Sequence, residues 1–272
     1  MKHKPKLGQN FLADPEAARR IADALGDIQT STVVEIGPGH GAITSLLAPH
    51  AGRLICIELD RALAAELRFR FRDAANVEII EADILSVNLS ALRTAEAKLK
   101  VIGNLPYYIT SDILLHLCAH AGAIDTAVVM MQREVADRVA AIPGTRDYGV
   151  LSVSVQRHAD TSALFTLPPT AFSPPPEVFS TVLHLRMRNR VELGDIDDTA
   201  FTRMLRAAFA QKRKTLNNNL RAAGYSAAEV HDAFVAATVA PGLRAEALSL
   251  TQFASLYHAL DSNRSGRDGA GS

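Results

Sequence analysis

Charge of one sign, long apolar stretches and cysteine are all scarce in this chain of 272 residues. Lys and Arg together number 29, as do Asp and Glu, so the formal net charge is zero. The molecule is therefore no polycation, and any contact with nucleic acid must depend on local basic patches. No apolar run approaches membrane-spanning length, and no hydrophobic region follows the basic start Met1–Lys6. We therefore expect neither membrane association nor a signal peptide.

The two cysteines, Cys56 and Cys118, both lie in apolar periodic segments. This placement is typical of buried, reduced thiols in a cytoplasmic protein, so we predict a cytoplasmic location and neither a disulfide nor a metal site. An apolar fraction of 48% and a charged fraction of 21% are ordinary for a globular protein. The length allows one large domain, or a large domain with a small one.

A glycine-rich turn follows the first clear strand. The β-branched run Thr32–Ile36 leads into Gly37-Pro38-Gly39-His40-Gly41. Glycines at alternate positions between a strand and a helix let the backbone turn sharply and approach a ligand closely. The next predicted strand, Arg53–Ile57, ends at Glu58, which lies 21 residues beyond Gly37. A carboxylate at that distance is placed to accept both ribose hydroxyls of a nucleoside-containing cofactor.

Two further predicted strands also end in polar residues. Val77–Ile80 is followed by Asp83, which we expect to accept an adenine amino group, and Leu99–Ile102 leads to Asn104. Four consecutive strand ends thus face one crevice, where open α/β sheets bind ligands. A lone Glu58 or Asp83 is more often a helix cap, but four ends in register predict a nucleoside-cofactor site.

The glycine spacing separates two kinds of cofactor. It is G-x-G-x-G rather than the G-x-G-x-x-G of dinucleotide folds, and no second mononucleotide unit follows. We therefore interpret the cofactor as one adenosine with a charged tail. A dehydrogenase is the alternative, and it predicts nicotinamide binding.

The stretch from Asn104 to Tyr108 carries the chemistry. Pro106 fixes its own φ and favours an extended Leu105, whose carbonyl then points outward at the end of a strand. The Asn104 amide, this carbonyl and the Tyr107 ring suit a flat ring with an exocyclic amine, because two oxygens accept its N–H groups while the aromatic ring stacks on its face. Taken alone, such a stretch is more often a turn that Asn and Pro punctuate, and the strand ends upstream favour the binding site instead.

A rigid segment lies further along the chain, between two predicted strands, Leu151–Arg157 and Val178–Arg188. It reads Phe172-Ser173-Pro174-Pro175-Pro176, and three consecutive prolines favour a stiff, extended backbone. Phe172 is interpreted either as a core anchor or as a clamp on the second face of a ring stacked on Tyr107.

The composition changes after Arg190, and from Asp198 onward the pattern is helical and rich in alanine. Within it, Lys212, Arg213 and Lys214 concentrate positive charge at a helix, either as a solvated face or as part of a groove for an RNA backbone. The Gly-, Ser- and Arg-rich end predicts disorder. The predicted parts are a cofactor-binding catalytic domain (1–188), a helical RNA-binding domain (189–261) and a disordered tail (262–272).

These motifs together resemble the ribosomal RNA adenine N6,N6-dimethyltransferase family. The resemblance runs from Leu7–Leu12 to Arg244–Glu246 and includes Phe172–Val178 and Phe209–Leu216. It implies a Rossmann-like class I methyltransferase sheet, an α/β fold with helices on both faces, plus a small all-α C-terminal domain. It also implies contacts with S-adenosylmethionine by Asn10, Leu12, Gly37, Gly39, Glu58, Asp83 and Asn104.

The implied reaction is dimethylation of N6 on two adjacent adenosines near the 3′ end of small-subunit (16S) rRNA, coupled to maturation of that subunit. The implied partner is the immature small ribosomal subunit, and we expect the protein to bind it as a monomer. The target adenine would be flipped between Tyr107 and Phe172, with N6 polarised by Asn104 and the Leu105 carbonyl.

Two departures from the family pattern bear on the target pocket, because many members have Asn where this chain has Tyr108 and Phe where it has Leu7. Two other functions stay open at this point. One is a large-subunit rRNA adenine methyltransferase of the antibiotic-resistance type, and the other is a ribosome assembly factor for which methylation is secondary.

Overall fold

Parallel strands joined by helices dominate the first half of the chain. The computed structural model describes residues 10–94 and 97–268, and within them the chain forms nine strands. The strands are β1 (Phe11–Leu12), β2 (Thr32–Ile36), β3 (Arg53–Glu58), β4 (Val77–Glu81), β5 (Leu99–Asn104), β6 (Ile124–Gln132), β7 (Ala159–Leu167), β8 (Phe172–Ser173) and β9 (Ser180–Met187).

Ten α-helices accompany these strands in the described residues. They are α1 (Pro15–Asp23), α2 (Thr44–Leu47), α3 (Arg61–Arg70), α4 (Thr110–Ala119), α5 (Arg133–Ala140), α6 (Val150–His158), α7 (Asp198–Ala208), α8 (Leu216–Ala222), α9 (Ala227–Ala236) and α10 (Leu250–Asp268). None of these helices is long and apolar enough to cross a membrane.

The chain divides into two compact units. The sheet unit contains residues Met1–Asp137 and His158–Asn189, and the helical unit contains Arg138–Arg157 and Arg190–Ser272. This division differs from the predicted domains 1–188 and 189–261 in one segment, because residues 138–157 belong with the C-terminal helices.

The main sheet has seven strands in the order β4-β3-β2-β5-β6-β9-β7. The first five are parallel, whereas β9 is antiparallel to both β6 and β7. The chain leaves β2 for β3 and β4 and then returns to β5 on the other side of β2, which creates a switch point between β2 and β5. Ile36 at the end of β2 is in register with Ile57 of β3 and Gly103 of β5. The carboxyl ends of these three strands therefore lie side by side.

Burial on both faces explains why the central strands are apolar runs rather than alternating patterns. All five residues of β2 are buried. On one face α1 packs its apolar stripe, and Ile21 of that helix joins Leu54 and Ile102 in a cluster that is fully buried. Burial of each such side chain stabilises the folded state by roughly 1.5–3 kcal/mol relative to a side chain left exposed to water. Asp14 starts α1 by accepting hydrogen bonds from the N–H groups of the first turn.

The helical unit has a separate apolar core, in which Phe201 and Phe253 are fully buried. Asn219 of α8 donates from Nδ2 to the carbonyls of Ala208 (2.7 Å) and Gln211 (3.2 Å), which fixes α8 to the end of α7. Ser226 and Glu229 form a capping box that starts α9.

Two elements between residues 150 and 167 differ from the sequence prediction. Leu151–Arg157, predicted as a strand, lies in α6, whose residues Leu151 to Val155 are all buried. A buried strand and a buried helix can both have a short, continuous apolar run, so the sequence pattern could not distinguish a strand from a helix here. The strand that follows, β7, was not predicted, because six of its nine residues are polar or alanine and several are exposed.

The last helix extends into the predicted tail. Helix α10 continues to Asp268 and so includes residues 262–268 of the segment 262–272, whose disorder stays a prediction. Residues 269–272 lie outside the described residues.

Candidate active site

A cleft opens in the sheet unit at the carboxyl ends of the parallel strands. Its lining comes from the segment around β1, the glycine turn after β2, the ends of β3 and β4, and the segment after β5. The lining residues are Asn10, Phe11, Ile36, Gly37, Gly39, Ile57, Glu58, Leu59, Ala82, Asp83, Ile84, Asn104, Leu105, Pro106, Tyr107, Tyr108, Ile109 and Ile113.

The glycine turn needs residues without side chains. Gly37, Gly39 and Gly41 have φ values of +63°, +58° and +77°, a region that other L-residues rarely adopt. A Cβ on Gly39 would also lie 2.8 Å from Cδ1 of Phe11. Gly37 and Gly39 therefore line the cleft with backbone alone.

Glu58 connects the end of β3 to this turn. Its side chain is buried, with the residue 4% exposed, and it lines the cleft. Oε2 accepts the N–H of Gly39 (3.1 Å) and Oε1 accepts the N–H of Asp60 (2.9 Å). A carboxylate has about four acceptor positions, so these two bonds fix its orientation and leave capacity for ligand hydroxyls.

Asp83 follows β4 and is exposed in the cleft. Its Oδ1 accepts the N–H of Leu85 (2.9 Å) and so caps the short 3-10 helix Ile84–Ser86. No hydrogen bond of the described residues uses Oδ2. The same side chain is thus a cap and a cleft-lining acceptor.

Asn104, the last residue of β5, presents an acceptor that no described group satisfies. Its Nδ2 donates to the carbonyl of Asn10 (3.0 Å), which fixes the plane of the amide. Its Oδ1 is buried and has no hydrogen-bond partner among the described residues. A buried polar atom without a partner is unfavourable by roughly 1–3 kcal/mol, and a ligand N–H would remove this penalty.

The turn after Asn104 is held on both sides. The N–H of Leu105 donates to the carbonyl of Met130 (2.9 Å), so the turn stays attached to the neighbouring strand β6. The hydroxyl of Tyr107 lies 2.7 Å from Oγ of the buried Ser180. Burial raises the pKa of Tyr107, so the phenol is neutral at physiological pH. Pro106, between Leu105 and Tyr107, lines the cleft. The hydrogen bond with Ser180 fixes the hydroxyl end of the Tyr107 ring.

The segment before α1 brings one expected and one unexpected residue to the cleft. Asn10 and Phe11 line it, and the Phe11 ring lies 4.5 Å from the ring of His40. Leu12 does not line the cleft; it packs against the apolar cluster beneath the sheet. The side chain of Leu12 faces away from the cleft, because adjacent residues of β1 point to opposite faces, and the contact of this residue with the cofactor stays a prediction. That alternation was the signal that could have identified Phe11.

Phe172 lies in the core rather than in the cleft. It is 3% exposed, belongs to the apolar cluster that contains Ile21, and does not line the cleft. In β8 it is in register with Leu12 of β1. The proline-rich segment is therefore held by strand pairing against the core, and a ring buried there has no free face for an adenine. The core-anchor interpretation matches the structure, and the clamp interpretation does not.

Glu35 was not assigned a role from the sequence, and it lies fully buried in β2. Its Oε2 accepts the hydroxyl of Thr44 (2.7 Å), and the thiol of Cys56 donates to the same oxygen (3.6 Å). Burial raises the pKa of Glu35 to about 7, although the bond from Thr44 opposes the rise. Burial, with Glu35 beside it, also raises the pKa of Cys56 far above its usual value. The group joins β2, α2 and β3 beneath the glycine turn.

The predicted RNA-binding residues lie in the helical unit. Lys212, Arg213 and Lys214 form an exposed turn between α7 and α8, rather than a helical face, and we call it the basic turn. The N–H of Lys214 donates to the carbonyl of Gln211 (3.0 Å), which closes the turn. Within residues 10–94 and 97–268, no ion pair uses these three side chains.

The whole chain matches a known family. The family model described as ribosomal RNA adenine dimethylase matches residues 1–262. The chain belongs to this family. Two members named ribosomal RNA small subunit methyltransferase A are similar over most of their length. That of Acidobacterium capsulatum is 60% identical over 260 residues, which cover 96% of this chain and 92% of the relative. That of Koribacter versatilis is 52% identical over 269 residues, which cover 94% of each.

Solved structures of two related enzymes share the fold. A dimethyladenosine transferase from Plasmodium falciparum has a TM-score of 0.76 and 23% identity, covering 94% of this chain and 98% of that one. The 23S rRNA methyltransferase ErmE has a TM-score of 0.69 and 28% identity, covering 93% and 100%. The predicted fold class, a class I methyltransferase sheet with a helical C-terminal part, is confirmed.

Family membership makes the chain an rRNA adenine dimethyltransferase that uses S-adenosylmethionine. The cleft fits both reactants of such an enzyme. Gly37 and Gly39 line the cleft with backbone alone, Glu58 keeps acceptor positions, and no described residue donates to the buried Oδ1 of Asn104.

Proposed function

We propose that the cleft catalyses the dimethylation of N6 on two adjacent adenosines near the 3′ end of small-subunit (16S) rRNA. The naming of the two relatives above supports the choice of subunit. The observation that carries the proposal is the Oδ1 of Asn104, a fixed acceptor at the end of β5 that has no donor in the part of the chain that the structure describes and that an adenine amine would satisfy.

Three strand ends would hold the cofactor. Glu58 would accept the ribose hydroxyls, Asp83 would accept the adenine amino group, and the backbone of Gly37 and Gly39 would lie against the remainder together with Asn10. When bound, S-adenosylmethionine supplies a methyl group on a positively charged sulfur.

The target nitrogen needs help from the protein because its lone pair is delocalised into the adenine ring. Asn104 Oδ1 and the Leu105 carbonyl would accept the two hydrogens on N6, which favours a tetrahedral nitrogen with its lone pair directed outward. The ring of Tyr107, which Ser180 holds, would stack on the adenine face and fix its distance from both acceptors. Orientation and preorganised hydrogen bonds are therefore the main catalytic contributions.

A second methylation changes the number of hydrogen bonds that N6 can donate. N6-methyladenine has one N–H instead of two, so only one of the two acceptors can then be satisfied. The site must also admit the first methyl group. Asn104, whose amide plane is fixed by its bond to Asn10, is the acceptor that we expect to serve both rounds.

The adenine must leave its base stack to enter the cleft, and the helical unit would hold the surrounding RNA. The basic turn suits phosphate contacts because its three cations are exposed and outside any described ion pair. We propose that a monomer in the cytoplasm acts on the immature small subunit, and that methylation accompanies assembly.

A second candidate is methylation of large-subunit rRNA, which the likeness to the 23S rRNA enzyme favours. Incubation of the purified protein and S-adenosylmethionine with unmethylated small or large subunits, followed by mass spectrometry of the rRNA, separates the two. We expect two N6,N6-dimethyladenosines in small-subunit rRNA only. Methylation confined to large-subunit rRNA would overturn the proposal.

A further inference from the structure

Two adjacent tyrosines in the cleft have opposite environments. Tyr107 is half-buried, and its hydroxyl lies 2.7 Å from Ser180 Oγ. Tyr108 also lines the cleft, but it is 58% exposed. Within the described part of the chain, no hydrogen bond or ring contact involves the side chain of Tyr108. The turn thus directs one ring inward and leaves the next one at the edge of the site.

An exposed aromatic ring at the edge of an RNA site has a direct chemical use. Every nucleobase has a π-face, so an aromatic side chain can stack on a base of any sequence. Tyr108 is 58% exposed and no described ring stacks on it, so part of its aromatic surface is open to a base.

Sequence adjacency sets which base the ring can reach. Consecutive Cα atoms are about 3.8 Å apart, so Tyr107 and Tyr108 present their rings from neighbouring points of one turn. A single-stranded RNA places consecutive bases on one continuous backbone. A strand that inserts one base beside Tyr107 therefore brings the next base to the edge of the cleft, where Tyr108 lies.

We propose that Tyr108 stacks on the nucleotide next to the target adenine, so that the enzyme holds two consecutive bases at once. This inference rests on the proposed function, in which the target is one of two adjacent adenosines. The base at Tyr108 is then the other adenosine, held while its neighbour reacts. Phe172 does not stack on this neighbouring base, because its side chain is buried in the core.

The test combines changes in the enzyme and in the RNA. Small subunits are assembled from unmethylated rRNA in which a synthetic 3′ fragment carries either both adenosines or one adenosine beside an abasic residue. The wild type, Tyr108→Ala and Tyr108→Phe are compared by single-turnover methyl transfer. Phe69→Ala is the matched control, because Phe69 is 72% exposed in α3 but does not line the cleft.

With both adenosines present, Tyr108→Ala should raise the half-saturating concentration of small subunits about tenfold, the scale of one base stack, and leave the maximal rate unchanged. Tyr108→Phe and Phe69→Ala should stay close to the wild type. With the abasic neighbour, the wild type should weaken to the level of Tyr108→Ala, and that variant should lose nothing further.

Two results would overturn the inference. One is an equal half-saturating concentration for Tyr108→Ala and the wild type on the intact RNA. The other is an undiminished loss on the abasic RNA, which would mean that the ring contacts a different group. Failure of the wild type to methylate either adenosine would instead overturn the proposed function, so the two failures are distinguishable. Thermal unfolding of Tyr108→Ala checks that its fold is intact.

Discussion

The cleft of the sheet unit and the basic turn of the helical unit hold their polar groups in different ways. In the cleft, Asn104 and Glu58 are fixed by hydrogen bonds to backbone groups of Asn10, Gly39 and Asp60. In the basic turn, three cations extend into solvent. The difference indicates which group needs orientation and which needs only charge.

Physical chemistry gives the two arrangements different consequences. A hydrogen-bonding group that is already oriented needs no reorganisation at the moment of reaction, so its loss lowers the rate at full occupancy. An exposed cation attracts the RNA backbone through a field that salt screens, so its loss lowers occupancy in proportion to phosphate contacts. Variants of the two regions should therefore separate rate from affinity.

The largest effect is expected for Asn104→Ala. It removes one of two acceptors for N6, and turnover should fall by roughly 10²–10³-fold, the scale for one preorganised hydrogen-bonding group. Initial rates of methyl transfer to unmethylated small subunits measure this. Asn88→Ala is the control, since Asn88 caps a short helix outside the cleft. Equal losses in both variants would show a general effect on stability.

The next effect is expected for Glu58→Ala, through S-adenosylmethionine affinity. Loss of the carboxylate should weaken binding by roughly 1.5–3 kcal/mol, the range for a hydrogen bond to a charged group. Calorimetric titration measures the affinity, and Glu66→Ala, an exposed carboxylate of α3, should leave it unchanged. Unchanged affinity in Glu58→Ala would contradict the assignment of this strand end.

Glu35 sharpens the comparison because it is fixed and buried but outside the reaction. Its pKa rises from 4.5 to about 7 on folding, so between these values the folded state binds more protons than the unfolded state. The free energy of unfolding should therefore fall as the pH rises through this window, by roughly 1–3 kcal/mol for this group.

Chemical denaturation between pH 5 and pH 8 checks this pH dependence. Glu35→Gln should lose less stability than the wild type across the window, whereas Glu78→Gln, whose carboxylate is exposed, should follow the wild type. A curve for Glu35→Gln that is parallel to the wild type would show that Glu35 is ionised in the folded protein.

The smallest effect is expected in the basic turn. Replacing Lys212, Arg213 and Lys214 by Ala should weaken small-subunit binding about tenfold at low salt and flatten the dependence of affinity on salt. Binding isotherms at several salt concentrations measure both quantities. A variant with Arg at positions 212 and 214 keeps the charges and should keep the slope. An unchanged slope in the Ala variant would make the turn an ordinary solvated surface.

Much of the cleft could be predicted from the sequence because each element obeys a short-range rule. An apolar run followed by glycines or a polar residue marks the end of a parallel strand, and parallel strands end at one edge. Gly37, Glu58, Asp83 and Asn104 follow that rule, and all four line the cleft. The resemblance to the family added the reaction, which the strand ends alone do not specify.

The features that could not be predicted depend on long-range contacts. The pairing of β1 with β8 decides that Phe11 faces the cleft and that Leu12 and Phe172 face the core. Whether Leu151–Arg157 is a strand or a helix depends on the apolar cluster of the helical unit, in which Val153 packs. The unsatisfied acceptor of Asn104 also depends on a long-range contact. The carbonyl of Asn10, 94 residues away in sequence, accepts from the Asn104 amide and fixes the orientation in which no described residue donates to Oδ1.

Single-turnover methyl transfer at saturating S-adenosylmethionine and saturating small subunits tests the central claim most directly. Under these conditions occupancy is complete, so only groups that act on the chemical step affect the rate. We predict that Asn104→Ala stays slower than the wild type by roughly 10²–10³-fold, whereas the triple Ala variant of the basic turn regains the wild-type rate. A near-normal rate for Asn104→Ala would contradict the claim that its fixed acceptor activates N6.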